Sequence, residues 1–448
     1  MQAEQKIEFK KMKKLLTLLT FVAILVGCET EKPSSNIVIN DIANFWTAFD
    51  KITATQDSIL QHELIDSLYF QKGTDGLKAI RQARNYTSQD YINAINSYPK
   101  FWNSVRENTL KVEQLSPELE KGIRKFNEIY PDSKPAKIYF TIGALRTNGT
   151  TVDSLVLIGS ELALADKNTP TNEFPENLSH LRSYFDSEPS KNIVFLNIHE
   201  YVHTQQKSTI GNSLLAQTVI EGVAEFLAEK ALDINSPNPQ IEFGRENDSA
   251  IKDAYTLEMF SPYLYNWIWN SADNEFEMRD LAYYVGYAIC DSYYNNASNK
   301  TKAIKEMIEL DYNNEIDLIQ FVEKAGYFDE TLNTYKETFE NSRPRVVAIE
   351  PFENNNQSVD PNINEITIIF SEPMNQRFRN FDYGPLGEDA LMRIKNVSGW
   401  SDDGKSLTLE IEDLSPNNQY QITIGSGFRN LKSIPLKEYL IDFKTKDE

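Results

Sequence analysis

Between Ser190 and Glu225 the chain sets down His199-Glu200-Tyr201-Val202-His203, breaks at Gly211-Asn212, and resumes with Glu221-Gly222-Val223-Ala224-Glu225. No other stretch restricts the possible folds as much. Two histidines four apart share a face on an α-helix, where their Cβ atoms stand about 5–6 Å apart. The spacing predicts a helix over 190–206, with Ser190 as N-cap and Phe195, Ile198 and Val202 as its core stripe. A second helix over 214–231 carries the two glutamates, and the Gly211 break lets it return antiparallel. On that arrangement His199 and His203 grip one metal ion with both imidazoles. Glu200 then lies beside the metal, placed to take a proton from a water and pass it to a leaving group.

The third ligand follows by elimination. The chain has four histidines, and neither His62 nor His180 lies on a following helix, whereas Glu221, 18 residues after His203, does. Two histidines and one carboxylate leave a position open, which is a catalytic zinc arrangement. Glu225 lies one turn further along. It is either a solvated helix charge or the acceptor for the second ring proton of a ligand histidine, fixing its tautomer. Glu229 reads as a solvated continuation of that stripe. Gly222 reads as the position that lets this helix approach the histidine helix closely.

These two motifs together, about 35 residues, resemble the gluzincin metallopeptidases, and among them the bacterial envelope branch with an E-G-x-A-E second motif. The resemblance implies that His199, His203 and Glu221 bind Zn2+, that Glu200 is the catalytic base and that Glu225 partners a ligand histidine. It implies a sheet edge that pairs with an extended peptide, for which Lys137–Ile142 or Leu155–Ile158 is the candidate. It further implies a downstream tyrosine or histidine that steadies the oxyanion. Tyr283, Tyr284 and Tyr287 are candidates, and Tyr284, 63 residues after Glu221, is the choice. Ile220 stands where the thermolysin and aminopeptidase branches carry asparagine. No amino-terminus-recognition motif is present, which argues against an aminopeptidase.

Before these motifs, a basic run (Lys10 to Lys14) precedes an apolar run (Leu15 to Val26) that is too short to span a bilayer and has the layout of an export signal. Leu25-Val26-Gly27-Cys28 resembles the bacterial lipobox, which implies cleavage before Cys28 and a lipid anchor on it. The expected organisation is multidomain: signal peptide 1–28, linker 29–40, a mainly α-helical α+β zincin-like domain with a small sheet over 41–342, and an all-β sandwich over 343–448. Helical periodicity runs from Asp41 to about Tyr130 (Phe45, Trp46, Phe49, Ile52; Tyr91, Ile92, Ile95, Tyr98), with Ser116 as an N-cap. Lys137–Ile142 and Leu155–Ile158 read as strands, and Asn148 to Thr151 as the turn between them. Leu281 to Tyr294 reads as an apolar helix, with more helical pattern around 301–311 and 315–341.

Past Pro344 the pattern alternates with period two at 366–370, 406–411 and 420–424. Phe370-Ser371-Glu372-Pro373-Met374, Trp400, Leu414 to Asn417 before Tyr420, and Phe443-Lys444-Thr445 resemble the bacterial Ig-like domains of S-layer and other envelope proteins. That likeness implies a spacer or adhesive module without chemistry. The net charge of −21 argues against a nucleic-acid partner, because phosphate binding needs a basic surface. Of the two cysteines, Cys290 reads as a buried small hydrophobe. The expected function is a zinc-dependent metalloendopeptidase acting on a peptide or protein. Lipid on Cys28 would hold it in the bacterial envelope, at the outer membrane, facing the periplasm or the surface. The alternative is a catalytically degenerate zincin-like lipoprotein acting in binding or adhesion.

Overall fold

The computed structural model describes residues 36–270 and 272–447. The signal-like segment and Cys28 lie outside the described residues. A mostly helical region with a small sheet precedes an all-β Ig-like sandwich. Two compact units divide the chain: residues 36–123 with 135–197, and 124–134 with 198–447. Among the described residues no helix is long and apolar enough to cross a membrane.

The first unit holds helices α1 (Asn40–Ile52), α2 (Ser58–Ile65), α3 (Asp75–Ala83), α4 (Ser88–Ser97) and α5 (Pro99–Leu110). It also takes residues 116–123 of α6 (Ser116–Ile129). The apolar stripe of α1 buries Phe45, Trp46 and Phe49, and Phe45 meets Tyr69, Tyr91 and Trp102 at ring separations of 5.2–6.4 Å. Ser116 is not a cap. Its backbone is already helical, because a 3-10 turn over Lys111–Leu115 runs straight into α6.

The sheet has the order β1 (Ile37–Val38), β2 (Lys137–Thr141), β4 (Leu155–Gly159), β3 (Gly149–Val152). Only β3 is antiparallel to its neighbour. Both strands expected to offer a free edge, β2 and β4, are therefore interior, and β1 and β3 form the edges. The unbroken apolar runs of β2 and β4 fit an interior place, since a central strand is covered on both faces. The stretch read as a turn is strand β3, whose half-buried threonines suit an edge. Two short helices follow, α7 (Ser160–Ala163) and α8 (His180–Asp186). The buried Glu161 carboxylate accepts from the Gly143 and Leu145 amides at 2.8 and 3.2 Å. Burial outweighs those bonds and pushes it up to about 7.

The second unit contains most of the remaining helices: α9 (Ile193–His203, from Ile198 onward), α10 (Leu214–Leu232), α11 (Pro239–Glu246), α12 (Asp248–Thr256), α13 (Leu281–Asn296), α14 (Lys300–Glu309), α15 (Glu315–Ala325) and α16 (Leu332–Ser342). Helix α9 begins three residues later than its expected cap at Ser190, after a 3-10 turn over Pro189–Asn192. The sandwich pairs one four-stranded antiparallel sheet, β5 (Val346–Glu350), β6 (Glu365–Phe370), β9 (Ser406–Ile411) and β8 (Ile394–Trp400), with a three-stranded one, β11 (Tyr439–Lys444), β10 (Gln419–Ile424) and β7 (Phe381–Asp382). Ile366, Ile368, Leu407, Leu409, Ile422, Ile441 and Phe443 fill its core. It is fastened to the helical part of its own unit. The Arg429 guanidinium lies 3.5 Å over the Tyr263 ring, and the Tyr263 hydroxyl donates to the Ser426 carbonyl at 2.8 Å.

Candidate metal centre

Helix α9 puts His199 and His203 on one face with ring centroids 4.9 Å apart, both 6% exposed. Helix α10 starts at Ser213, whose hydroxyl accepts from the Ala216 amide at 3.2 Å. Gly211 makes the preceding turn possible, because a Cβ there would stand 2.3 Å from the Gln217 backbone nitrogen. Two turns into α10, Glu221 Oε2 meets His199 Nε2 at 3.4 Å and His203 Nε2 at 3.3 Å. The two Nε2 atoms are 3.2 Å apart. Among the described residues, His199, His203 and Glu221 are the cluster able to hold a metal ion.

The outward atoms of the same side chains are held by other groups. His199 Nδ1 faces Glu225 Oε2 at 3.0 Å, and His203 Nδ1 faces Gln206 Oε1 at 2.6 Å. Gln206 in turn donates to the Ile220 carbonyl and the Tyr312 hydroxyl at 2.9 and 3.0 Å. Gln217 donates to Glu221 Oε1 at 2.9 Å. With both Nδ1 atoms facing acceptors, a neutral ring would carry its proton there and turn a lone pair from Nε2 toward the common point. In that neutral form three acceptor atoms would converge without a hydrogen between them, so the arrangement calls for a cation, either a proton on Nε2 or a metal ion.

The distances fit one. Ligands about 2.0–2.1 Å from a tetrahedral zinc stand about 3.3 Å from each other, and the three separations here are 3.2, 3.3 and 3.4 Å. The electrostatics agree. Burial opposes a charge on either imidazole, yet the Glu221 and Glu225 carboxylates outweigh it and raise His199, while Glu221 raises His203. Burial likewise opposes ionisation of Glu221, and the two imidazoles overcome it and lower the carboxyl. The cluster favours positive charge, which a proton or a metal ion would supply.

Glu200 follows His199 on α9, and its charge bears on both His203 and the Tyr283 hydroxyl. Tyr284 is not brought to the cluster. Its ring packs against Gly244 of α11, and its hydroxyl donates to Asp248 Oδ1 at 2.7 Å. Tyr283, one residue earlier on α13, is the one that stacks on His199, with ring centroids 6.0 Å apart and planes 27° from parallel. Desolvation, with the Glu221 and Asp280 charges next, raises its hydroxyl far above the ordinary value, so it remains a donor. Tyr287 donates to Glu229 Oε1 at 2.7 Å.

Two further expectations are corrected. Gly222 does not face α9. A Cβ on it would stand 2.3 Å from Gly286 Cα, so the glycine pair sets the contact of α10 with α13. Glu229 is not a solvated charge; it is 9% exposed and bonded to Tyr287, Arg245 and the Ser236 amide. Gln206 and Gln217 were not singled out from the sequence. Gln217 lies one helical turn before Glu221, a spacing that would have found it. Gln206 lies in the turn beyond α9, where no periodicity applies.

Residues 340–445 match the family model described as a bacterial Ig-like domain. No curated protein matches the chain. Among solved structures it is similar to the S-layer protein SbsC at 12% identity and TM-score 0.18, over 64% of this chain and 39% of that one. The chain thus spans well under half of that S-layer structure. It is also similar to the catalytic module of the metalloprotease ZmpA from Clostridium perfringens at 13% identity and TM-score 0.19, over 79% of this chain and 65% of that one. Likenesses at these scores place no residue of this chain, and the site stands on its own geometry.

Proposed function

We propose that the chain is a zinc-dependent peptidase of the gluzincin type, held in the bacterial envelope by lipid on Cys28, with the Ig-like sandwich as an extracytoplasmic module. The observation that carries this reading is the convergence of His199 Nε2, His203 Nε2 and Glu221 Oε2 at tetrahedral separations, with Glu200 on the same helix. The three side chains would hold the ion, leaving its fourth position open. A bound zinc would supply Lewis acidity that polarises a substrate carbonyl and eases deprotonation of water.

The chain's own groups do the rest. Glu200 takes the proton of the attacking water and delivers it to the departing amide nitrogen. The Tyr283 hydroxyl, kept protonated by its surroundings, donates to the oxygen that gains negative charge. It replaces Tyr284 in that role. Glu225 and Gln206 hold the two imidazoles in the Nδ1–H tautomer.

The test compares the full chain with Glu200→Gln and Glu221→Ala, for zinc content and for hydrolysis of a mixed peptide library. One zinc per chain is expected. Glu200→Gln keeps it and loses turnover by about 10²–10⁴-fold, while Glu221→Ala loses the zinc. Full activity in Glu200→Gln, or unchanged zinc in Glu221→Ala, would refute the assignment. Stoichiometric zinc with no turnover in the unaltered chain would favour a binding or adhesion lipoprotein built on a degenerate zincin scaffold.

A further inference from the structure

Three acids follow one another at single-turn intervals along α10: Glu221, Glu225 and Glu229, all buried. Three like charges on one buried stripe are costly unless each is neutralised or fully hydrogen-bonded. Glu221 faces the two imidazoles. Glu225 faces only one of them, and the rest of its bonding runs outward, away from the metal cluster.

That bonding forms an unbroken chain. Glu225 Oε2 takes His199 Nδ1 at 3.0 Å. Its Oε1 accepts from the Ser236 hydroxyl and from Asn238 Nδ2, the latter at 2.9 Å. The Ser236 amide donates to Glu229 Oε2 at 3.0 Å. Arg245 donates to the same oxygen at 3.2 Å and to the Tyr287 hydroxyl at 2.7 Å, and Tyr287 donates to Glu229 Oε1 at 2.7 Å. Arg245 is thus the cation that answers Glu229, as the histidines answer Glu221. Its side chain is 40% exposed and borders an open cavity of about 640 Å³ shared with Asp248, Asp291 and Tyr327.

We propose that Arg245 and Glu229 are positioning residues for the metal centre. Arg245 fixes Glu229, Glu229 fixes the turn at Ser236, that turn fixes Glu225, and Glu225 fixes the ring of His199. The inference rests on the metal-centre reading. Neither residue touches the metal cluster, so their effect reaches it only through the orientation of one imidazole.

The test uses cobalt(II) as the probe on the full chain, reading its visible absorption bands and its affinity by competition. Arg245→Ala is expected to weaken cobalt by about 10-fold, the lower end for groups that orient a metal ligand, and to alter the bands. Arg245→Lys restores the charge but cannot serve Glu229 and Tyr287 in the same fork geometry, so its rescue is partial. Tyr287→Phe removes one hydroxyl and little else. It is expected to shift affinity and bands the same way to a smaller extent, and it serves as the test if Arg245→Ala fails to fold. Unchanged bands and affinity in Arg245→Ala, or in Tyr287→Phe where that stands in, overturn the inference even if thermal stability falls, because a purely structural role would move stability alone. Absence of cobalt binding by the unaltered chain overturns the metal-centre reading itself and this inference with it. Binding that ignores Arg245 and Tyr287 overturns only the inference.

Discussion

In strand β6 of the sandwich, Ile366, Ile368 and Phe370 are buried, while Thr367 and Ile369 between them are half-buried and Glu365 is exposed. Helix α10 follows a different rule. Every residue from Leu214 to Glu229 is buried, including Gln217, Thr218 and three glutamates. The sandwich buries Gln421, Asn430 and Thr445 but no charged residue among those described. Burying an apolar side chain stabilises by about 1.5–3 kcal/mol, whereas a buried ion costs several kcal/mol unless it is paired. The sandwich is therefore what an apolar core requires and no more. Helix α10 keeps charges that stability alone would not select, each oxygen aimed at a named partner. Buried charge, more than burial itself, separates the part of the unit that holds the candidate metal centre from the sandwich.

The largest effect expected from breaking that contrast is in the sandwich. Phe443 is fully buried and packs against Phe352 and Tyr420 at ring separations of 4.5 and 5.6 Å. Phe443→Ala is expected to lower the stability of the sandwich by about 3–5 kcal/mol in denaturant titration while zinc stoichiometry stays at that of the unaltered chain. A parallel fall in zinc would show that the two regions do not act independently. The next effect separates two neighbours on α13. Tyr283→Phe is expected to lower kcat by about 10²-fold with little change in stability, whereas Tyr284→Phe leaves kcat unaltered. Equal losses in steady-state kinetics would remove Tyr283 from the oxyanion role.

What the sequence made legible follows from periodicity. The alternation at 366–370 and 406–411 places Ile366, Ile368, Leu407 and Leu409 on one face, and the structure buries all four. The four-residue spacing of His199 and His203, and of Glu221 and Glu225, fixes which side chains share a helix face. The structure brings His199, His203 and Glu221 within reach of one ion. Periodicity does not say which neighbour covers a face. Glu229 shares the stripe of Glu225 and looked solvated, but α11 and α13 cover it with Arg245 and Tyr287. Tyr283 and Tyr284 differ by about 100° around one helix, and only the packing of α13 against α10 through Gly222 and Gly286 decides which turns to His199. Strand β3 was hidden for a related reason. An edge strand of half-buried threonines has no apolar alternation to read, and its partner Leu155–Gly159 supplies the pairing.

The smallest effect concerns pH, and it tests the contrast from the side of the charges. Glu221 and Glu225 raise His199, against its burial, above the ordinary imidazole value, and Glu221 does the same for His203. The His199 imidazole, pushed up to about 10, holds its proton through neutral pH when no metal is bound, and zinc would have to displace that proton to reach Nε2. The sign follows. Apparent zinc affinity rises with pH, by up to about tenfold per pH unit for each proton displaced, and levels off once pH passes the raised imidazole value. Competition titrations with a calibrated chelator between about pH 6 and pH 8 would measure it. The sandwich, with no buried charged residue among those described, supplies the reference. Phe443→Ala should shift the whole affinity curve nowhere along the pH axis. Glu225→Gln, which keeps a hydrogen-bond acceptor on His199 but removes a negative charge, should make the slope shallower near neutral pH. A flat profile in the unaltered chain would mean that the imidazoles are neutral before zinc arrives, and that the three carboxylates of α10 are balanced by something other than the two histidines and Arg245.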